Sequence, residues 1–162
     1  MKKYKNGMYG GKFMPFHKGH LSCLELAAKE CETVNLILFC GGKQEKDILS
    51  KDKRKFLTVD NRIERIKEAI KDMENVKFHV IDVASCFSDD GEELWDMETP
   101  MVLEKTGELD AVYGSEQSYA DYFSRAYPKA DYRLVDISRV KVPVSATMIR
   151  AMSEEEASKW IV

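Results

Sequence analysis

Residues 10–20 read GGKFMPFHKGH. Met8 and Tyr9 before them have strand propensity, and LSCLELAAKEC after them sets Leu21, Leu24 and Ala28 at helical spacing. The stretch therefore reads as strand, glycine-bearing turn, helix. Such a turn faces a helix N-terminus, whose free amides and positive dipole end attract an anion, most often phosphate. His17 and His20 stand three residues apart around Gly19, flanked by the ammonium groups of Lys12 and Lys18. These donors suit the charge of a polyphosphate. A plainer reading makes His17 a helix cap and His20 a half-buried surface histidine. Two of the chain's three histidines share this one turn, which favours the chemical reading.

Working outward, TVNLILFC (33–40) reads as a buried parallel strand ended by Gly41 and Gly42. The lysine-rich segment 43–55 reads as a surface loop, able to order over a bound nucleotide. Asp60 is predicted to cap a helix over 60–74, with Ile63, Ile66 and Ile70 on its apolar face. Residues 76–83 and 110–114 give a third and a fourth strand, and 132–135 a fifth. His79 falls inside the third and reads as a packed or edge-strand residue. Residues 84–100 are acidic and irregular, and a helix is placed over 101–106. The expected fold is α/β, a single-domain doubly wound parallel sheet of about five strands over residues 1–162, closed by a C-terminal helical tail. The loop after the fourth strand, beginning Ser115-Glu116, lies at the carboxyl edge, where open α/β sheets bind ligands.

Lys and Arg number 25 against 28 Asp and Glu, a net charge of −3, which gives no electrostatic reason to expect nucleic acid. No apolar run reaches membrane-spanning length and MKKYKNGMYGG has no signal-peptide core, so neither membrane nor export is expected, and a cytoplasmic location is. Cys23, Cys31, Cys40 and Cys86 have neither metal-site nor disulfide spacing and read as free thiols, with Cys23 and Cys31 facing the core from the first helix.

The spacing G-x-F-x-P-x-H-x-G-H over Gly11, Phe13, Pro15, His17, Gly19 and His20 resembles the first signature of the nucleotidylyltransferase (H-x-G-H) superfamily. Pro15 with His17 is similar to the nicotinamide-mononucleotide (NMN) adenylyltransferase branch, NadR-like enzymes included. Val144 to Arg150, VSATMIR, is similar to the second signature, I-S-x-T-x-I-R. Ser145 or Thr147 can cap the short helix that follows, and Arg150 can reach phosphate one turn on. The resemblance implies a Rossmann-like fold and transfer of AMP from ATP to NMN, giving NAD and pyrophosphate. His17, His20, Lys18 and Arg150 would be catalytic. Gly11, Lys12, Phe13, Gly19, Ser115, Glu116, Ser145 and Thr147 would bind nucleotide, with Arg139 at a basic position of NadR-type enzymes. Trp95 would stack the nicotinamide ring. Arg62 matches a ligand-site arginine near the start of its helix. Mg²⁺ is implied as cofactor, held by ATP phosphates and water rather than by a protein metal site. GSEQ stands where NadR-type enzymes often read SSEP. No G-x-x-x-x-G-K-[ST] occurs, so a P-loop kinase is not expected in this sequence. Another phosphorylated acceptor (phosphopantetheine, flavin mononucleotide or a sugar phosphate) and a non-catalytic nucleotide-binding module are the alternatives. Oligomeric state is left open, a homo-oligomer included.

Overall fold

The structure, a computed structural model, describes residues 1–135 and 142–162. Five strands, β1 (Tyr4–Gly11), β2 (Cys31–Cys40), β3 (Val76–Asp82), β4 (Ala111–Gly114) and β5 (Asp131–Leu134), form one sheet in the order β3-β2-β1-β4-β5. Every pairing is parallel, with Tyr9 opposite Leu36 on one side and Tyr113 on the other. This is the α/β Rossmann-like architecture expected, with all five strands in their expected places. The chain winds outward from β1 to β3, then returns to lay β4 on the other side of β1. The reversal between β1 and β4 opens a crevice at their carboxyl ends, the usual ligand position in such sheets.

Alternation along the strands sends side chains to two faces. Tyr9, Leu36 and Leu38 pack with Cys23, Leu24 and Ala27 of α1 (Lys18–Glu30) and Ile66 of α3 (Val59–Ile70). Met8, Ile37 and Val112 pack on the opposite face with Val102 of α4 (Trp95–Thr106), while α5 (Ala120–Ala126) adds Phe123 and Ala126 at its margin. A third cluster joins Met14 of the signature loop to Phe56 and Leu57, and to Ile149 and Ala157 of α6 (Ala146–Arg150) and α7 (Glu154–Ala157). The tail is sewn to that loop, the Lys18 amide donating to Trp160 O at 2.9 Å and the Val162 amide to Phe16 O at 3.2 Å.

Four local expectations are corrected. The lysine-rich segment is a helix, α2 (Lys43–Lys51), followed by a 3-10 turn over Lys55–Leu57. Its charges are the outward face, while Glu45 points inward and Phe56 and Leu57 are buried. The cap of α3 is Thr58, whose hydroxyl accepts from the Asn61 amide; Asp60 sits within the first turn. Helix α4 begins at Trp95 and carries Pro100 in its interior rather than starting at 101. Cys31 is the first residue of β2, not a residue of α1, and all four cysteines are buried and unpaired with one another.

Candidate active site

The crevice between β1 and β4 is a cleft of about 540 Å³. Its two ends are built differently. One end is the signature loop between β1 and α1. His17 is the N-cap of α1: its Nδ1 accepts from the Gly19 amide at 3.0 Å, and its own amide donates to His20 Nδ1 at 3.1 Å. Both Nδ1 atoms thus act as acceptors, and a neutral imidazole then carries its proton on Nε2. The capping reading and the chemical reading of His17 are compatible, because the cap fixes which nitrogen carries the proton. The two rings lie 3.7 Å apart between centroids. A Cβ on residue 19 would lie 2.7 Å from His17 Cε1, so only glycine admits the imidazole there.

The loop is locked from beneath. Phe13 adopts φ 51°, a left-handed conformation costly for an aromatic residue, and it is buried against the rings of Tyr9, Phe16 and His20. The carbonyls on either side of it are each held by an arginine. Arg62 Nη1 donates to Lys12 O at 2.6 Å, and Arg150 Nη1 to Met14 O at 2.8 Å. Arg62 is 1% exposed, pairs with the equally buried Glu45 at 2.8 Å and also donates to Leu57 O. The second Glu45 oxygen accepts from the Gly41 amide. The ligand role matched to Arg62 is therefore corrected: its guanidinium faces the backbone of the loop, and the residue positions rather than binds. Arg54, not singled out in the sequence, donates to the carbonyls of Arg150 and Met152 at the end of α6 while bound to Asp52.

The amides of α1 are also less available than the sequence suggested. The Lys18 amide is taken by Trp160 O and the Gly19 amide by His17. Attraction for an anion falls instead to the imidazoles, to Lys12 and to Arg150, all of which line the cleft. Arg150 spends one donor on Met14 O and one on Thr147 Oγ1 at 3.3 Å, out of the five a guanidinium has. Burial lowers its pKa from the usual arginine value. Ser145, not Thr147, caps α6, accepting from the Met148 amide at 3.2 Å.

Of the residues singled out in the sequence, Gly11, Lys12, Phe13, His17, Gly19, His20, Trp95, Ser115, Glu116, Ser145, Thr147 and Arg150 all line this one cleft. Lys18 does not; it is exposed, and its ammonium lies 5.8 Å from the Trp160 ring centre. Arg139 lies outside the described residues. Among the described residues no group of three or more His, Cys, Asp or Glu is placed to hold a metal ion.

The far end of the cleft is aromatic and acidic. Trp95 meets Tyr119 and Tyr122 edge-on at 5.0 and 5.1 Å, with Phe123 behind them. The Ser115 hydroxyl donates to Val135 O, tying the GSEQ loop to the end of β5. Glu98 and Glu93 also line the cleft and were not foreseen. Glu98 Oε2 is buried without a hydrogen-bond partner among the described residues. Burial first, then the charge of Glu93, pushes the Glu98 pKa up to about 7, against the pull of Lys12. The only advance sign was an acid three residues after Trp95, on the same face of any helix that began there.

The chain is similar to several known proteins. Phosphopantetheine adenylyltransferase of Clostridium botulinum (strain 657 / Type Ba4) is 30% identical over 84 residues, 52% of this chain and 42% of the relative. Nicotinamide-nucleotide adenylyltransferase of Saccharolobus solfataricus is 31% identical over 67 residues, 41% of this chain and 36% of the relative. The match thus spans less than half the length of either. Among solved structures, a NadR protein in complex with NAD and AMP-PNP superposes with a TM-score of 0.65 at 23% identity, over 99% of this chain and 46% of that one. A bifunctional NMN adenylyltransferase/ADP ribose pyrophosphatase from Francisella tularensis gives 0.58 at 22% identity, over 84% and 38%. At these identities the likeness is one of fold. The family model described as cytidylyltransferase-like matches residues 8–152, a span that takes in both signatures and the whole sheet from Met8 onward. With its two signatures folded onto one crevice, the chain belongs to the cytidylyltransferase-like family.

Proposed function

We propose that this chain is an adenylyltransferase that moves AMP from ATP to NMN, giving NAD and pyrophosphate. The observation that carries the reading is the meeting of both signatures at one end of a cleft whose other end is an aromatic wall. The NMN 5′-phosphate attacks the α-phosphorus of ATP in line, the bond to the β-phosphate oxygen breaks, and pyrophosphate leaves. A phosphate is already a competent nucleophile, so catalysis reduces to positioning and to neutralising charge on the α-phosphate and the leaving group.

His17 and His20 donate from Nε2, and Lys12 and the remaining donors of Arg150 hold the β- and γ-phosphates. Lys18 contributes at most long-range charge. Ser145 and Thr147 hydroxyls sit beside the same phosphates, and Ser115 and Glu116 border the sugar. Mg²⁺ would come in on the ATP phosphates and supply charge neutralisation of the leaving group. The donor-rich end of the cleft, poor in carboxylates, suits a metal carried by phosphate and water. At the far end Trp95 stacks the flat pyridinium ring. The substrates are small phosphates and the reading places the chain in the cytoplasm; no helix of the described residues is long and apolar enough to cross a membrane.

The relatives named phosphopantetheine adenylyltransferase support a second acceptor. The test is pyrophosphate release from ATP and Mg²⁺ with NMN, nicotinic acid mononucleotide, phosphopantetheine or flavin mononucleotide. Release with NMN upholds the reading. Release with phosphopantetheine alone keeps the chemistry and replaces the acceptor. Nucleotide binding without release from any acceptor would make the chain a binding module.

A further inference from the structure

Glu98 is the one described side chain whose buried polar atom finds no hydrogen-bond partner. Native proteins rarely leave such an atom unmet, because its desolvation goes uncompensated. It lies three residues beyond Trp95 on α4, so the two share a helix face, and both line the cleft. Glu93 lines the same wall, its Oε1 2.6 Å from where a Cβ of Gly42 would stand. Among the described residues the cation that acts on Glu98 is Lys12. Beside the aromatic wall the cleft therefore offers the carboxyl groups of Glu93 and Glu98. Of the two Glu98 oxygens only Oε2 is closed off, so an incoming N–H is taken by the other.

We propose that Glu98 sets the charge of the acceptor: it accepts an amide N–H from a ring stacked on Trp95 and disfavours the same ring bearing a carboxylate. This rests on the adenylyl-transfer reading and sharpens it from a pyridine nucleotide to an amidated one. A carboxylate in that position is repelled by Glu93, and by Glu98 whenever Glu98 is ionised, whereas a carboxamide carries no charge and donates an N–H to the Glu98 carboxyl. Sites built around a particular hydrogen bond reject analogues that cannot make it far more strongly than apolar pockets reject a change of size.

The test compares kcat/KM for NMN with that for nicotinic acid mononucleotide in the wild-type chain and in Glu98→Gln. The wild-type ratio should favour NMN by at least about tenfold, since a site that must hydrogen-bond its substrate discriminates at that level or above. Glu98→Gln should bring the ratio toward one mainly by raising the rate with the acid, because glutamine can donate to a carboxylate. Glu98→Ala, which removes acceptor and charge together, should lower the ratio by slowing NMN; thermal unfolding of each variant reports its folding. An unchanged ratio in both folded variants, or a wild-type enzyme that prefers the acid, overturns the assignment of Glu98 and leaves adenylyl transfer standing. Pyrophosphate release with phosphopantetheine alone overturns the assignment together with the NMN reading.

Discussion

The two ends of the cleft differ in how their polar groups are satisfied. At the phosphate end, the fold commits almost every group that could move: both Nδ1 atoms accept, two arginines hold the carbonyls flanking Phe13, and the tail closes on the loop. The imidazoles, Lys12 and Arg150 line one cleft. At the acceptor end, aromatic rings meet edge-on and a carboxyl oxygen has no partner. The first arrangement suits a reaction that needs fixed charge, since preorganised donors are not reorganised during the step. On the function we propose, the second arrangement leaves recognition to the ligand's own hydrogen bonds. On that proposal, chemistry and specificity are carried by different elements, β1–α1 and α6 for one and α4 with the loop after β4 for the other.

The largest expected effect breaks the lock under the phosphate end. Arg62→Leu leaves Glu45 buried without its partner and should cost about 3–5 kcal/mol of stability. Replacing both Arg62 and Glu45 by leucine should recover part of it, and denaturant unfolding of the single and double variants measures the difference. Equal loss in the single and double variants would mean that the loop carbonyls, not the buried charge, carry the cost. At the acceptor end, Trp95→Ala should weaken acceptor binding by about 1–3 kcal/mol, the range for stacking a flat base on an aromatic ring, and should leave the affinity for ATP alone. Isothermal titration with each ligand separates the two, and an unchanged acceptor affinity would count against a stacked ring. The smallest effect is the pH dependence contributed by Glu98. With its pKa raised to about 7 from an ordinary 4.5, the folded chain binds more protons than the unfolded chain between those values. Stability from this group is therefore lost as pH rises from 4.5 to 7 and is flat above. Glu98→Gln should remove that slope, which thermal unfolding at pH 5 and pH 8 detects; an unaltered difference between the two would place the titration elsewhere.

The five strands and both signatures were legible because they rest on local signals: short apolar runs, glycine-bearing turns and fixed spacings. The lysine-rich segment misled because its charges occupy one helix face, while the residues that matter, Glu45, Phe56 and Leu57, are few and widely spaced. Arg62 showed its neighbours in sequence but not its partner 17 residues away. Nor could spacing reveal that Trp160 O would take an amide of α1, since that contact spans nearly the whole chain. The acceptor end was the least legible, because Pro100 hid the start of α4 and with it the shared face of Trp95 and Glu98. Lys18 shows the limit of motif reading: the motif includes its position, and the side chain turns to Trp160.

The most direct measurement is adenylyl transfer by His20→Ala, with circular dichroism to verify the fold and titration to verify ATP binding. Removing one preorganised donor to the transition state should lower kcat by about 10²–10³, with ATP affinity changed only a few-fold. Near-normal turnover in a folded, ATP-binding His20→Ala variant would contradict the proposal that the imidazoles of this loop stabilise the transferring phosphate.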